Sequence, residues 1–73
     1  MYNHLLDTFI LVADEKSINK ASEKLFISPV SVMKQIRKLE EEFEVKLFYT
    51  TNKGCELSED GIKFYKAAKD IID

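Results

Sequence analysis

The sequence predicts a mainly α fold, with a three-helix core, a small β-hairpin and a C-terminal helix. Three observations point to it. Apolar residues recur at helical spacing through most of the chain. Ser17, Ser28 and Ser58 stand where helix N-caps are needed, because a serine oxygen accepts an orphan backbone N–H. One β-branched and aromatic stretch, Val45 to Thr51, runs into the turn signal Asn52-Lys53-Gly54.

Residues 4–15 place Leu5, Leu6, Phe9, Ile10, Val12 and Ala13 on one stripe, with Asp7, Thr8 and Asp14 opposite. This predicts helix 1. Helix 2 is expected to follow its Ser17 cap over about Ile18–Leu25, with Ile18, Ala21 and Leu25 inward. Ser28 then caps helix 3, and Pro29 takes the first helical position, where no N–H is needed. Helix 3 is expected to reach about Phe43, with Val32, Ile36, Leu39 and Phe43 in the core. The hairpin joins residues 45–51 to Cys55-Glu56-Leu57. Ser58 starts helix 4, whose Glu59 and Asp60 suit the first turn. Ile62, Phe64, Tyr65, Ala68, Ile71 and Ile72 wrap around more than one side of helix 4, so part of it is left for another helix.

Phe26 stands in the turn between helices 2 and 3, where a left-handed residue is often required. Gly or Asn suits that conformation better. Either strain at Phe26 or a turn that avoids positive φ is expected.

Length and composition exclude several classes. Seventy-three residues, 45% hydrophobic and 33% charged, suit one soluble globular core. A lone cysteine, Cys55, excludes an internal disulfide and a cysteine-based zinc site, and suggests a reducing compartment. His4 has no second histidine, so no metal site is expected. No catalytic constellation is apparent, and the chain is not read as an enzyme. No apolar run approaches the roughly 20 residues that span a bilayer, and no leader is recognisable.

The net charge is −2, but it is segregated. Residues 16–38 carry Lys16, Lys20, Lys24, Lys34, Arg37 and Lys38 against Glu23 alone. Residues 39–73 carry five lysines against nine acids. A basic block in an acidic chain suggests one face for a polyanion, although a solvated face that keeps the domain soluble has the same composition.

Two helices joined by a tight turn, the second polar and basic near its start, follow the helix-turn-helix plan. A hairpin after that helix makes the form winged. A major groove about 12 Å wide admits one α-helix, which needs small or polar residues at its leading end and cations farther along. Ser28, Pro29, Val30, Ser31 and Met33 form the leading end, followed by Lys34, Arg37 and Lys38.

The chain resembles the N-terminal DNA-binding domain of LysR-type transcriptional regulators over about residues 4–72. The resemblance lies in Leu6-Asp7-Thr8-Phe9 with Val12-Ala13, and in the run from Ser17 to Leu25. It continues in Gln35-Ile36-Arg37-Lys38-Leu39-Glu40-Glu41, Leu47-Phe48 and Leu57-Ser58-Glu59-Asp60-Gly61. It implies a bacterial transcription regulator, cytoplasmic and nucleoid-associated, that binds double-stranded operator DNA. Helix 4 is similar to the family's linker helix, which implies a homodimer through that helix and a higher oligomer in the full-length protein. The implied division is a winged helix-turn-helix domain over 1–58 and a truncated linker helix over 59–73. The effector-binding domain has no counterpart here, so no cofactor is expected in this chain.

Residue by residue, the resemblance implies DNA contacts from Ser17, Asn19 and Lys20 at the start of helix 2. Ser28, Pro29, Val30, Ser31, Met33, Lys34, Arg37 and Lys38 would follow on helix 3, about residues 29–43, lying in the major groove. Thr51, Asn52 and Lys53 would reach the adjacent backbone or minor groove from a wing at 52–54. Ile62, Tyr65, Lys66, Lys69 and Ile72 would pair the subunits. The chain departs from the family pattern in places. Pro29 stands where a glutamine is usual, so a bidentate adenine contact is lost. Met33 and Lys34 replace Ser or Thr followed by Arg. Thr50 stands where an arginine is frequent, and Lys53 replaces the wing arginine. The same docking with a different base preference is expected. Met33 could instead pack, and Lys38 could bridge to Glu41 or Glu42. The competing reading is a winged-helix module that binds protein rather than DNA.

Overall fold

The computed structural model describes residues 4–52 and 54–72. At its centre Phe9 is fully buried in an aromatic cluster. Its ring centroid lies 5.4 Å from Phe48, 5.1 Å from Phe64 and 6.4 Å from Tyr65, in tilted and edge-on geometries that suit the ring quadrupole. These rings gather the elements in chain order: α1 (His4–Glu15), α2 (Ile18–Leu25), α3 (Pro29–Phe43), β1 (Phe48–Thr51), β2 (Gly54–Leu57) and α4 (Glu59–Ile72). Leu5, Leu6 and Val12 of α1, Ala21 of α2, Val32, Ile36 and Leu39 of α3, and Leu47 complete the core with Ala68. The architecture is a three-helix core with a two-stranded antiparallel hairpin and a final helix.

The helix boundaries follow local chemistry. Ser17 Oγ accepts the Lys20 N–H at 3.2 Å, and Ser28 Oγ accepts the Ser31 N–H at 3.1 Å, with Pro29 opening α3. Ser58 Oγ accepts the Gly61 N–H at 2.8 Å. Each oxygen satisfies a donor that the helix itself leaves unpaired. Three helices end on non-glycine residues in the left-handed region: Lys16 (φ 55°), Phe26 (φ 58°) and Glu44 (φ 54°). At Phe26 the structure therefore takes the strained alternative. Its N–H caps α2 on the Ser22 and Glu23 carbonyls, while the ring is 94% exposed. A left-handed residue with a Cβ costs about 1–2 kcal/mol.

The structure corrects the sequence reading at several points. Phe43, expected in the core, is 51% exposed; it meets only the edge of the cluster, 5.0 Å from Phe64. Thr8, expected on the solvent side, is buried because α3 lies over it, and its hydroxyl donates to Gln35 Oε1 at 2.5 Å. β1 begins at Phe48 rather than Val45. The backbone of residues 45–47 is already engaged: the Val45 N–H donates to the Glu40 carbonyl and the Leu47 N–H to the Glu40 carboxylate. Two of the three N–H groups of this segment are thus committed to Glu40 rather than to a ladder.

The hairpin pairs Phe48 with Leu57, Tyr49 with Glu56, Thr50 with Cys55 and Thr51 with Gly54. It is fastened to the α1–α2 junction, where the Cys55 N–H donates to the Lys16 carbonyl at 3.2 Å. Gly54, at φ 137°, permits that approach: a Cβ there would lie 2.3 Å from the Lys16 oxygen.

Candidate nucleic-acid interface

The cap that starts α3 also shapes its leading turn. Ser28 accepts the Ser31 N–H, and the Ser28 hydroxyl donates to Ser31 Oγ at 3.0 Å. Val30, in the same turn, is 64% exposed. Ser28 and Pro29 are exposed and Ser31 is half-buried. One to two turns on, Lys34, Arg37 and Lys38 are all exposed. Among the described residues the single ion pair joins Lys24 to Glu15 at 2.6 Å. The expected alternative of a Lys38 bridge to Glu41 or Glu42 is therefore not made. Three cations of α3 are exposed and form no ion pair among the described residues.

This exposure follows from the other face of the same helix. Val32, Ile36 and Leu39 are buried at spacings of four and three, so the residues between them must turn outward. Met33 is an exception. It is half-buried in a cleft of about 190 Å³, whose walls include Arg37, Glu40, Lys46, Phe48 and Cys55. Met33 thus stands half-buried at the cleft between α3 and the hairpin. Burial pushes the Cys55 thiol above its ordinary value, which leaves it protonated and poorly nucleophilic near neutrality.

Beside α3, Asn19 and Lys20 are exposed at the start of α2, and Ser17 is half-buried in its capping role. Thr51 and Asn52 are exposed at the hairpin tip, where the Thr51 hydroxyl donates to the Gly54 carbonyl at 3.2 Å. Lys53 lies outside the described residues. On α4, Ile62 is 47% exposed, Lys66 is exposed and Lys69 is half-buried. The side chain of Ile72 lies outside the described residues. Tyr65, expected to pair subunits, is half-buried: it packs on Phe9 and donates its hydroxyl to Asp14 Oδ1 at 2.6 Å. Ile71 is 62% exposed.

Two residues important to the site's geometry have no obvious signal in the local sequence. Gln35 orients α3 against α1 through Thr8, 27 positions away. Glu40 holds the loop after α3 through the Leu47 N–H at 2.8 Å. Both sit among polar neighbours, and only their tertiary partners distinguish them.

Comparison with known proteins agrees with this arrangement. Residues 4–62 match the model of the bacterial regulatory helix-turn-helix protein, lysR family. The HTH-type transcriptional regulator CysL of Bacillus subtilis (strain 168) is 40% identical over 72 residues, covering 99% of this chain and 24% of the relative. Among solved structures, that of the CbnR DBD–DNA complex superposes with a TM-score of 0.91 at 29% identity, covering 99% of this chain and 83% of that one. The BenM DBD/catB site 1 DNA complex gives 0.90 at 30% identity, covering 99% and 77%. The chain spans about a quarter of the length of most of the curated relatives it matches.

Proposed function

Since the chain belongs to the lysR family of bacterial regulatory helix-turn-helix proteins, we propose that it is the DNA-binding part of a longer transcription regulator. In this reading α3 enters the major groove of double-stranded DNA. A helix with side chains is about 10–12 Å across, which suits a groove of about 12 Å. Val30 and Ser31 face base edges; Lys34, Arg37 and Lys38 meet phosphates or guanines. Lys20 and Asn19 meet the backbone that α2 crosses, and the hairpin tip with Asn52 and Lys53 reaches the neighbouring backbone or minor groove. Two copies pair through α4, with Ile62, Lys66, Lys69 and Ile71 on the shared face. A small-molecule effector would be bound by the remaining three quarters of such a regulator. A higher oligomer and a place at the nucleoid would belong to that longer protein.

One observation supports this reading above the rest. Three cations of one helix are exposed and form no ion pair among the described residues, beside a leading turn whose apolar residue, Val30, is also exposed. A groove-reading helix needs its cations and the side chains of its leading turn outward, and this helix has both there. The supporting likeness is to structures described as DNA complexes.

The test is selection of bound genomic fragments, followed by titration of a labelled duplex over a range of salt. Steep salt dependence is expected, with a log–log slope of about −0.9 per neutralised phosphate. A chain that binds no duplex at low salt, yet retains a protein partner, would establish the protein-interaction reading instead.

A further inference from the structure

The loop between α3 and β1 is not a free connection. Its backbone groups are bound on both sides. The Val45 N–H donates to the Glu40 carbonyl at 3.1 Å, and the Leu47 N–H donates to Glu40 Oε2 at 2.8 Å. From the other side, the Ser58 N–H donates to the Leu47 carbonyl at 2.8 Å, and the Ser58 hydroxyl donates to the Lys46 carbonyl. Ser58 is also the cap of α4. Gly61, in the first turn of α4, lies so close that a Cβ there would sit 2.2 Å from the Leu47 oxygen. Leu47 itself is fully buried. A continuous hydrogen-bonded path therefore runs from the Glu40 carboxylate of α3, through residues 45–47, to the first turn of α4.

We infer that Glu40 is a positioning residue: by holding the 45–47 strap, it sets the angle between α3 and α4, and with it the half-site spacing that a paired molecule accepts. This rests on the proposed reading, in which α3 enters DNA and α4 pairs. The physical basis is a lever. α4 has 14 residues and is about 21 Å long. A rotation of about 10° at its base moves its far end by about 4 Å, comparable with the base-pair rise of about 3.4 Å. A charge-assisted hydrogen bond to a buried N–H is among the stronger local restraints available. Phe43 and Phe64 touch at 5.0 Å and add apolar contact between the two helices without specifying an angle as a hydrogen bond does.

The experiment uses duplexes carrying one half-site, or two half-sites whose separation varies in single base-pair steps. Fluorescence anisotropy measures the parent chain, Glu40→Ala, Glu40→Gln and Glu40→Asp, with thermal melting run alongside. Glu40→Ala should leave single-site affinity within about twofold and reduce the preference for the best spacing by about tenfold. Glu40→Gln still offers an oxygen to Leu47 and should keep the parent's spacing profile. Like Glu40→Ala, it also removes a negative charge near the cationic face, a small gain that applies to all duplexes alike and leaves the spacing profile unchanged. Glu40→Asp keeps the charge but shortens the reach, and should shift or broaden the optimum.

Two results would overturn the inference. One is a Glu40→Asp or folded Glu40→Ala profile superposing on the parent's. The other is a folded Glu40→Ala that loses single-site and paired-site affinity by the same factor. A parent chain that binds single sites but gains nothing from a second site overturns the pairing reading, and this inference with it.

Discussion

The two halves of α3 use their polar groups in opposite ways. Up to its middle, Lys34 and Arg37 are exposed and take part in no ion pair among the described residues. In the trailing half, Glu40 turns its carboxylate into the protein to hold Leu47, while Glu41 and Glu42 face solvent with Glu44 just beyond. Acids at a helix C-terminus oppose the macrodipole, so local helix stability does not explain them. The contrast shows one helix divided between a surface left free for a polyanion and an end fastened to the rest of the fold. Repulsion from the trailing acids would also hold a phosphate backbone toward the leading half.

This division can be broken first at its fastened end. Gly61→Ala drives a Cβ into the Leu47 carbonyl, backbone against backbone. We expect a loss of about 3 kcal/mol in urea unfolding, at the upper end of ordinary overpacking costs. A variant as stable as the parent would mean that the strap is not gripped by α4.

The free end should respond in binding and not in stability. Lys34→Ala should reduce the magnitude of the salt slope by about 1, and Arg37→Ala should weaken operator binding by about 1–3 kcal/mol or relax its specificity. Both should unfold within about 0.5 kcal/mol of the parent, since neither side chain is buried. Parent-like operator affinity in both variants would remove these side chains from the interface.

A smaller effect is expected where α3 ends. Glu44 is exposed, and its φ of 54° suits glycine better than a residue with a Cβ. Glu44→Gly should stabilise the fold by about 1 kcal/mol, read as a higher urea midpoint at unchanged slope. A lower midpoint would show that the carboxylate contributes more than the backbone strain costs.

The smallest effect lies in the cleft behind Met33. Burial raises the Cys55 pKa in the folded state, so the native thiol holds its proton more tightly than the unfolded one. That contribution is fully present below the ordinary thiol range and is lost as pH rises through the folded value. Stability should therefore fall more steeply above about pH 8 in the parent than in Cys55→Ala. Parallel curves would show that the thiol does not titrate differently on folding.

Much of this arrangement is legible in the sequence because its causes are local. Ser17, Ser28 and Ser58 cap groups three residues away. Val32, Ile36 and Leu39 mark one side of α3, which sends Lys34 and Arg37 to the other. The cationic stretch is contiguous, so composition alone reveals it. The burial of Thr8 and the Asp14 partner of Tyr65 are not legible in this way. Thr8 meets Gln35 27 residues on, and Tyr65 meets Asp14 51 residues back. No window of helical period contains either pair.

Capping chemistry, apolar periodicity and charge segregation were written in the order of the amino acids, because each acts over a turn or two of helix. They set the number of helices, the hairpin and the cationic side of α3. Packing set the rest: a phenylalanine left in solvent at the α2–α3 turn, a strand begun at Phe48, and a carboxylate of α3 joined to the first turn of α4. Those outcomes depend on which distant surfaces close over a group and which donors they leave unpaired, and these partners meet only when the chain folds.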